Sequence, residues 1–173
     1  RGKRDYIEPF AGGMNMICEV SGGNRFANDS NFYLIEMFKA LQQGWIPPKN
    51  ISKDFYIECK NGKHAPHIIG YVGFNVMKQV PKLSDVVFSC ESFEKLVFEN
   101  SVVYCDPPYA GTTKYKDSFD HAFFWQWVRE KSKTNTVFVS EYNAPEDFIC
   151  LWEKQATSSL SANGKVGGNK LSI

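Results

Sequence analysis

Short apolar runs alternate with segments of helical periodicity along most of this chain. Strands rich in Val and Phe that alternate with helices favour a mostly parallel sheet covered by helices on both faces. We therefore expect an α/β fold with a doubly wound, mostly parallel sheet, whose ligands bind beyond the carboxyl ends of the strands. The runs predict strands over 5–10, 25–29, 85–90, 101–106 and 136–141, and the helical spacing predicts helices over 14–20, 31–44, 93–98 and 122–131.

Length and composition exclude several classes of protein. A chain of 173 residues accommodates one domain, or one domain with a small insertion. Because 43% of the residues are hydrophobic and 14 are Phe, the chain can build a core and is not disordered throughout. The 20 Lys and Arg residues almost balance the 19 Asp and Glu residues, which excludes a uniformly basic surface but allows a local basic patch. No apolar run is long enough to span a bilayer, so we expect a soluble protein without a membrane partner.

Neither the cysteines nor the histidines form a recognisable metal motif. The chain has five cysteines, an odd number, and they are widely separated without a Cys-x-x-Cys pair. This pattern indicates a reducing cytosol and argues against a disulfide framework or a zinc site. His64 and His67 could suggest a metal, but no acidic residue or Cys stands nearby at ligand spacing. We favour a polar loop there and expect no metal.

Lysine is concentrated in the segment 45–82. Its six lysines are accompanied by two acidic residues, Asp54 and Glu58, and by several Gly and Pro residues. We interpret the segment as an insertion outside the sheet core, and an ordinary solvated face is the alternative. The expected organisation is a catalytic unit of residues 1–44 and 83–173, interrupted by the insertion at 45–82.

A glycine-rich turn follows the first predicted strand, in the run Glu8-Pro9-Phe10-Ala11-Gly12-Gly13. Its small residues allow a ligand to approach the backbone closely. The turn is neither Gly-x-Gly-x-x-Gly nor a phosphate loop with Gly-Lys-Ser/Thr, which favours a nucleoside without a pyrophosphate. Asp29 follows Glu8 by 21 residues, at the end of the second predicted strand. A carboxylate there can accept hydrogen bonds from ribose hydroxyls, and capping of the next helix is the alternative.

The most specific motif is Asp106-Pro107-Pro108-Tyr109, directly after the fourth predicted strand. Proline fixes φ and has no N–H, so the carbonyls around the two prolines are rigid acceptors without a competing donor. The carboxylate of Asp106 adds further acceptors, and Tyr109 adds a flat ring. A planar amino group is a ligand that needs such acceptors together with a stacking surface. A purely structural connection between strand and turn is the alternative.

These motifs, with the later run Val139-Ser140-Glu141-Tyr142-Asn143, resemble the S-adenosylmethionine-dependent DNA adenine N6-methyltransferases. The resemblance is to the group in which the cofactor motif comes first, the target-recognition segment second and Asp-Pro-Pro-Tyr third, and it spans roughly residues 5–150. It implies a Rossmann-like class I methyltransferase fold with S-adenosyl-L-methionine as cofactor. The implied reaction is methylation of the exocyclic N6 of an adenine flipped out of double-stranded DNA.

The resemblance also implies roles for individual residues. The carboxylate of Asp106 and the carbonyl of Pro107 would accept the two amino hydrogens, while Tyr109 stacks on the base, so the implied catalytic residues are Asp106, Pro107, Pro108 and Tyr109. For Ser92 and Phe93 the alternative is a helix cap followed by a core aromatic. The implied cofactor contacts are Glu8, Pro9, Phe10, Ala11, Gly12, Gly13, Asp29, Ser30, Ser92, Phe93 and Asp106.

A flipped base requires compensating contacts to the DNA backbone, because unstacking a nucleotide costs a few kcal/mol. We expect Lys60 and Lys63 in the insertion and Lys114, Tyr115 and Lys116 after the tetrad to supply them, with an ordinary solvent loop as the alternative. Two other functions stay open: an RNA adenine methyltransferase, and a truncated or non-catalytic relative that binds nucleic acid.

Two departures from the family pattern indicate missing segments. The family carries an aromatic and lysine-bearing motif before the first strand, and this sequence begins after that point. The stretch between Asp29 and Asp106 is also short for a complete DNA-reading module. We expect a monomer in the cytoplasm of a bacterium or a phage-infected cell, with a cognate restriction endonuclease as a candidate partner.

Overall fold

A five-stranded parallel sheet forms the centre of the protein. The computed structural model describes residues 3–73, 79–109, 119–156 and 169–172. Every adjacent pair in the sheet is parallel, in the order β3-β2-β1-β4-β5. This topology confirms the predicted α/β fold and agrees with a class I methyltransferase fold. The strands are β1 (Tyr6–Glu8), β2 (Arg25–Asn28), β3 (Val86–Ser89), β4 (Val102–Cys105) and β5 (Thr136–Val139).

The chain leaves the central strand β1 in one direction and later returns on its other side. Ile7 of β1 lies opposite Phe26 of β2 and Val103 of β4. The strand order therefore reverses between β1 and β4, so the connections that follow these strands run toward opposite sides of the sheet. Such a reversal opens a crevice at the carboxyl ends of the strands, where open α/β sheets bind their ligands.

Two helices cover the two faces of the sheet. Consecutive strand residues point to opposite faces, so Tyr6 joins the apolar cluster that contains α1 (Phe32–Gln42), whereas Ile7 joins the cluster that contains α4 (His121–Ser132). In the second cluster, Trp125 and Trp127 are both buried. The apolar residues are thus divided into two layers with the sheet between them.

The lysine-rich segment folds into two short helices, α2 (Lys53–Lys60) and α3 (Pro66–Gly73), and its described residues contain no strand. Helix α3 lies directly against α1. At the point of closest approach, a Cβ atom on Gly70 would lie 2.1 Å from the carbonyl oxygen of Tyr33. The assignment of this segment to target recognition stays a prediction, although α3 also contributes to the layer that covers the sheet.

The helix predicted over 14–20 is wrong. The structure has a three-residue 3₁₀ turn there, Ile17–Glu19, and Met14 adopts a left-handed backbone with φ of 61°. Met14 and Ile17 are fully buried, so their spacing reflects a loop that packs two apolar side chains into the core. The helix predicted over 93–98 is likewise reduced to a 3₁₀ turn at Phe93–Lys95. The sequence pattern also missed an antiparallel hairpin of β6 (Glu153–Ala156) and β7 (Asn169–Ser172).

Arg25 fixes the long connection between β1 and β2. Its guanidinium is almost fully buried, pairs with Asp85, and donates hydrogen bonds to the carbonyls of Ile17 at 2.8 Å and Lys82 at 2.7 Å. One planar donor group therefore joins the β1–β2 connection to the residues that precede β3. No helix in the described part of the chain is long and apolar enough to cross a membrane.

The contact between α3 and α1 can be tested with two glycines of the same helix. Gly70→Ala should reduce the free energy of unfolding by about 1–3 kcal/mol, because the new methyl group would clash with the Tyr33 backbone. Gly73→Ala is the matched control, since a Cβ there meets no described atom within 4 Å, and Ala is the better helix former. Urea denaturation of both variants measures the difference. Equal stabilities would show that α3 does not pack on α1 in this way.

Candidate active site

A cavity of about 540 Å³ opens at the carboxyl ends of β1, β2 and β4. It brings together the three motifs that the sequence predicts to meet: the glycine turn, Asp29 and the Asp-Pro-Pro-Tyr tetrad. Parallel strands place their carboxyl ends at one edge of the sheet, which is why motifs about 20 to 100 residues apart share one cavity. Its walls comprise Glu8, Phe10, Ala11, Gly12, Gly13, Asn15, Met16, Asp29, Ser30, Asn31, Leu34, Tyr104, Asp106, Pro107, Pro108 and Tyr109.

Asp29 holds the glycine turn against the start of α1. Its Oδ2 accepts a hydrogen bond from the Gly12 N–H at 3.0 Å, and its Oδ1 accepts one from the Asn31 N–H at 2.8 Å. The residue that caps α1 is Asn31, whose side chain accepts from the Leu34 N–H, so Asp29 is not the helix cap. Gly12 has a φ of 44° and open space where a Cβ would project, so the turn is accessible from the cavity.

Asn28, the residue before Asp29, connects the carboxyl ends of three strands. Its side-chain amide donates to the carbonyls of Pro9 at 3.0 Å and Glu91 at 2.9 Å. Its Oδ1 accepts from the Ser89 hydroxyl at 2.8 Å and the Glu91 N–H at 3.0 Å. Every polar atom of this buried amide is thus satisfied, and the turns after β1 and β3 are held at fixed positions relative to β2.

Glu8 is a buried carboxyl group in the cavity wall, with 2% of its surface exposed. The Tyr6 hydroxyl donates to its Oε1 at 2.9 Å, and the Ile17 N–H donates a second hydrogen bond. Burial dominates over these two donors and raises the pKa of Glu8 from 4.5 to about 7, and the negative charge of Asp106 adds to the increase. A large fraction of Glu8 is therefore protonated near neutral pH.

The Asp106 carboxylate lies within a cluster of hydroxyl groups. The Tyr109 hydroxyl donates to Asp106 Oδ1 at 2.6 Å and lies 3.1 Å from the Ser140 hydroxyl. Ser140, buried at the end of β5, also hydrogen-bonds with Asp106 and with Tyr104. Burial raises the pKa of Asp106, and the hydrogen bonds from Tyr109 and Ser140 reduce the increase. The carboxylate is thus oriented by groups from its own turn and from the neighbouring strand.

Tyr109 uses its ring as well as its hydroxyl. The ring centroid lies 4.8 Å from that of Tyr142 with an interplanar angle of 55°, and the side chain is half-buried in the cavity wall. Burial raises the pKa of the Tyr109 hydroxyl, as does its hydrogen bond to Asp106, so the phenol stays a hydrogen-bond donor at neutral pH. The residues that follow β5 therefore pack against the tetrad and hydrogen-bond with it.

The ionisable groups in the described cavity wall include acidic side chains and no basic ones. Its wall contains the carboxyl groups of Glu8, Asp29 and Asp106, and none of the described residues that line it is Lys, Arg or His. Such a wall disfavours phosphate and other anions and favours a ligand that carries positive charge. Across the described part of the chain, no group of three His, Cys, Asp or Glu residues is arranged to hold a metal ion.

The other predicted site residues lie at varied positions. Pro9 is buried behind the cavity wall, and Ser92 and Phe93 are not part of that wall. The Phe93 ring lies 5.1 Å from the ring of Phe10, which does line the cavity, and the Ser92 hydroxyl donates to Glu94. The role of Ser92 and Phe93 toward an adenine ring stays a prediction.

Two of the predicted DNA contacts, Lys60 and Lys63, do not line the cavity. Lys60 and Lys63 are exposed at the carboxyl end of α2 and just beyond it, and the Lys60 ammonium lies 5.2 Å from the centre of the Tyr56 ring. Lys114, Tyr115 and Lys116 lie outside the described residues. These roles also stay predictions.

Sequence reasoning missed several residues that build the site. Asn28 is a polar residue at the buried end of an apolar strand, and that position is a signal that could have found it. Ser140 belongs to the run 139–143 that carries the family resemblance, but the resemblance implied no role for it. Tyr6 lies two residues before Glu8, on the same side of β1, which is how its hydroxyl reaches the carboxyl group. Five further residues of the cavity wall carried no motif that singles them out: Asn15, Met16, Asn31, Leu34 and Tyr104.

Ser140 can be tested by deleting its hydroxyl. Ser140→Ala should raise the pKa of Asp106 further, because the carboxylate loses a hydrogen-bond donor. NMR titration of the Asp106 side-chain carbon measures the midpoint. Ser132→Ala is the control, since that hydroxyl donates to the Val128 carbonyl within α4. An unchanged midpoint in Ser140→Ala would contradict the assigned contact.

The raised pKa of Glu8 predicts a specific pH dependence of stability. Between its ordinary pKa of 4.5 and its folded-state pKa of about 7, the folded protein retains a proton that the unfolded chain has released. The contribution of Glu8 to stability is therefore complete below about pH 4.5 and lost as the pH rises through about 7. Relative to wild type, Glu8→Gln should gain roughly 3 kcal/mol across that range, measured by urea denaturation at several pH values. A difference that does not change with pH would contradict the prediction.

Comparison with known proteins relates the first part of the chain to a family of enzymes. Residues 1–68 match the family model of the D12 class N6 adenine-specific DNA methyltransferases. This segment contains the glycine turn, Asp29 and α1, whereas the Asp-Pro-Pro-Tyr tetrad lies beyond it. No curated protein matches the chain. The match covers 68 of the 173 residues and supports a relationship between this segment and that family, and the five-stranded parallel sheet agrees with a class I methyltransferase fold.

Proposed function

We propose that this protein transfers a methyl group from S-adenosyl-L-methionine to the exocyclic N6 of an adenine flipped out of double-stranded DNA. The observation that carries the proposal is that the glycine turn, Asp29 and Asp-Pro-Pro-Tyr share one cavity in a chain that matches an adenine-specific DNA methyltransferase family. Carboxylates and proline-flanked carbonyls suit an amino group as the acceptor of the methyl group.

The residues of the cavity fit the proposed cofactor. S-adenosyl-L-methionine supplies an activated methyl group on a positively charged sulfonium, and the wall offers three carboxyl groups without a lining cation among the described residues. The Gly12 backbone is open to the cavity, so a ligand can approach it closely. Asp29 lies beside that turn and retains acceptor capacity on both oxygens, each of which takes one hydrogen bond in the structure.

Asp106 and Pro107 activate the target amino group in this proposal. The N6 lone pair of adenine is delocalised into the ring, which makes the nitrogen a poor nucleophile. When the Asp106 carboxylate accepts one N–H and the Pro107 carbonyl accepts the other, the nitrogen becomes pyramidal and its lone pair localises. Positioning therefore supplies much of the rate, and Asp106 does not need to be a strong base.

Tyr109 has two tasks in this arrangement. Its hydroxyl orients Asp106 through the 2.6 Å hydrogen bond to Oδ1, and its ring offers a surface on which the flipped base can stack. The Ser140 hydroxyl has a single proton, so it can donate to only one of its oxygen neighbours at a time. A base amino group that binds Asp106 would compete with these donors, and the cluster can adjust by redirecting the Ser140 proton.

Contacts to phosphates must come from outside the cavity, because its carboxylates repel the DNA backbone. The exposed Lys60 and Lys63 are available for this purpose, and Tyr56 lies beside Lys60. Salt-dependent contacts of this kind would offset the cost of unstacking the target nucleotide.

Methyl transfer from radiolabelled S-adenosyl-L-methionine to unmethylated duplex DNA tests the proposal. Asp106→Asn should reduce transfer by at least about 100-fold, because the amino group loses a charged acceptor. Glu130→Gln, which removes an exposed carboxylate paired with Lys133, is the matched control and should retain activity.

Three other outcomes would contradict the proposal. Equal transfer by wild type and Asp106→Asn would exclude the catalytic assignment. Preferential labelling of structured RNA in a competition assay would indicate an RNA methyltransferase. Salt-sensitive DNA binding by the wild type with no transfer at any DNA sequence would indicate a non-catalytic relative.

A further inference from the structure

We propose that Glu8 is a specificity-determining residue that recognises the positive charge of the bound cofactor, by giving up a proton when a cationic ligand enters the cavity. The inference rests on the proposed function, since it takes the ligand to be S-adenosyl-L-methionine. That cofactor has one more positive charge than its demethylated product, S-adenosyl-L-homocysteine. A residue that responds to this charge would distinguish the substrate form of the cofactor from the spent form.

The first step is that Glu8 has no positively charged partner among its described direct contacts. Its carboxyl group is 2% exposed, and its two direct partners, the Tyr6 hydroxyl and the Ile17 N–H, are neutral donors. Further titratable groups interact electrostatically with Glu8 from strand β4, from the residue that follows it and from the β1–β2 connection. They are Tyr104, Cys105 and Cys18, which are neutral, and Asp106, which is negative.

The second step is the position of Glu8 in the cavity. It lines the same cavity as Asp29 and Asp106, and no described lining residue supplies a positive charge. A buried carboxylate without a neighbouring cation is costly, so the described surroundings of Glu8 favour the neutral acid. The raised pKa of about 7 agrees with this conclusion.

The third step is the effect of a ligand charge. A sulfonium cation that enters a poorly hydrated cavity interacts favourably with an ionised Glu8 and lowers the pKa of that carboxyl group. The proton leaves to solvent, and the cation is matched by the resulting carboxylate. The product form has no sulfonium, so its binding should release less proton. By linkage, affinity for the cationic ligand should rise as the pH increases through about 7 and level off above it.

Isothermal titration calorimetry provides the test, with S-adenosyl-L-methionine and S-adenosyl-L-homocysteine as the two probes. Titrations in buffers of different ionisation enthalpy give the number of protons released on binding. At about pH 6.5, wild type should release roughly 0.7 proton more than Glu8→Gln when each binds S-adenosyl-L-methionine. The same difference between wild type and Glu8→Gln should be clearly smaller when S-adenosyl-L-homocysteine is the ligand. Affinity of the wild type for the sulfonium form should fall up to about tenfold between pH 8 and pH 6, relative to Glu8→Gln.

The difference between wild type and Glu8→Gln gives the proton release that is due to Glu8, because protons released by the ligand's own ammonium group are the same with both proteins. Glu36→Gln on α1 is the matched control, since Glu36 pairs with Lys39 and does not line the cavity, and it should behave like wild type. Tyr6→Phe is a second variant that keeps Glu8. Loss of the hydroxyl donor should raise the pKa of Glu8 and move the pH midpoint of binding upward.

The outcomes separate this inference from the proposed function. Binding of the sulfonium form with equal proton release in wild type and Glu8→Gln would overturn the inference and leave the cofactor assignment intact. An unmoved pH midpoint in Tyr6→Phe would also overturn it, even if Glu8→Gln proved unable to fold. Absence of any binding by the wild type across the pH range would overturn the proposed cofactor, and the inference with it.

Discussion

The candidate site depends on the buried amide of Asn28, which holds the carboxyl ends of β1, β2 and β3 together. Backbone ladders fix neighbouring strands only as far as the strands extend, and β1 is three residues long. Beyond that point, the turns after β1 and β3 are tied to β2 by four hydrogen bonds from one side chain. Asp29 continues this arrangement by accepting a hydrogen bond from the Gly12 N–H, so two consecutive residues hold the turn after β1 in place.

A comparable connection joins β4 to β5 on the other side of the cavity. Asp106 and Tyr109 follow β4, and Ser140 follows β5. The hydrogen bonds among them connect the Asp-Pro-Pro-Tyr turn to the next strand, and the ring contact between Tyr109 and Tyr142 adds a packing interaction. The two halves of the site are therefore held by polar side chains at strand ends, and the apolar core beneath them supplies the rigid sheet.

Much of the fold could be predicted from the sequence because its strands are short apolar runs with polar ends. All five predicted strands of the sheet are confirmed, and so are the helices expected over 31–44 and 122–131. The helix expected over 14–20 was wrong because Met14 and Ile17 are spaced like helical residues but are buried by a loop. Periodicity records which side chains are buried, and it does not record which backbone conformation buries them.

The site was predictable to the extent that it consists of motifs. Glu8, Asp29 and Asp106 were expected to meet because each lies at the carboxyl end of a parallel strand, and the cavity brings them together. The helix-cap alternative for Asp29 could not be excluded by sequence, because Asn31 and Asp29 are equally good capping residues by type. Likewise, Tyr6 and Ser140 act on the site through single hydroxyl groups, and only the three-dimensional arrangement reveals the carboxylates they contact.

Near-neutral net charge conceals two regions of opposite sign. The cavity wall carries three carboxyl groups, whereas the lysines of segment 45–82 outnumber its acidic residues by six to two. A single surface could not suit both a cationic cofactor and an anionic DNA backbone, because the charge that attracts one repels the other. In the proposed function, the carboxyl groups in the cavity wall and Lys60 and Lys63 outside it avoid this conflict, and the neutral exocyclic amino group is the part of the DNA best suited to enter the acidic cavity.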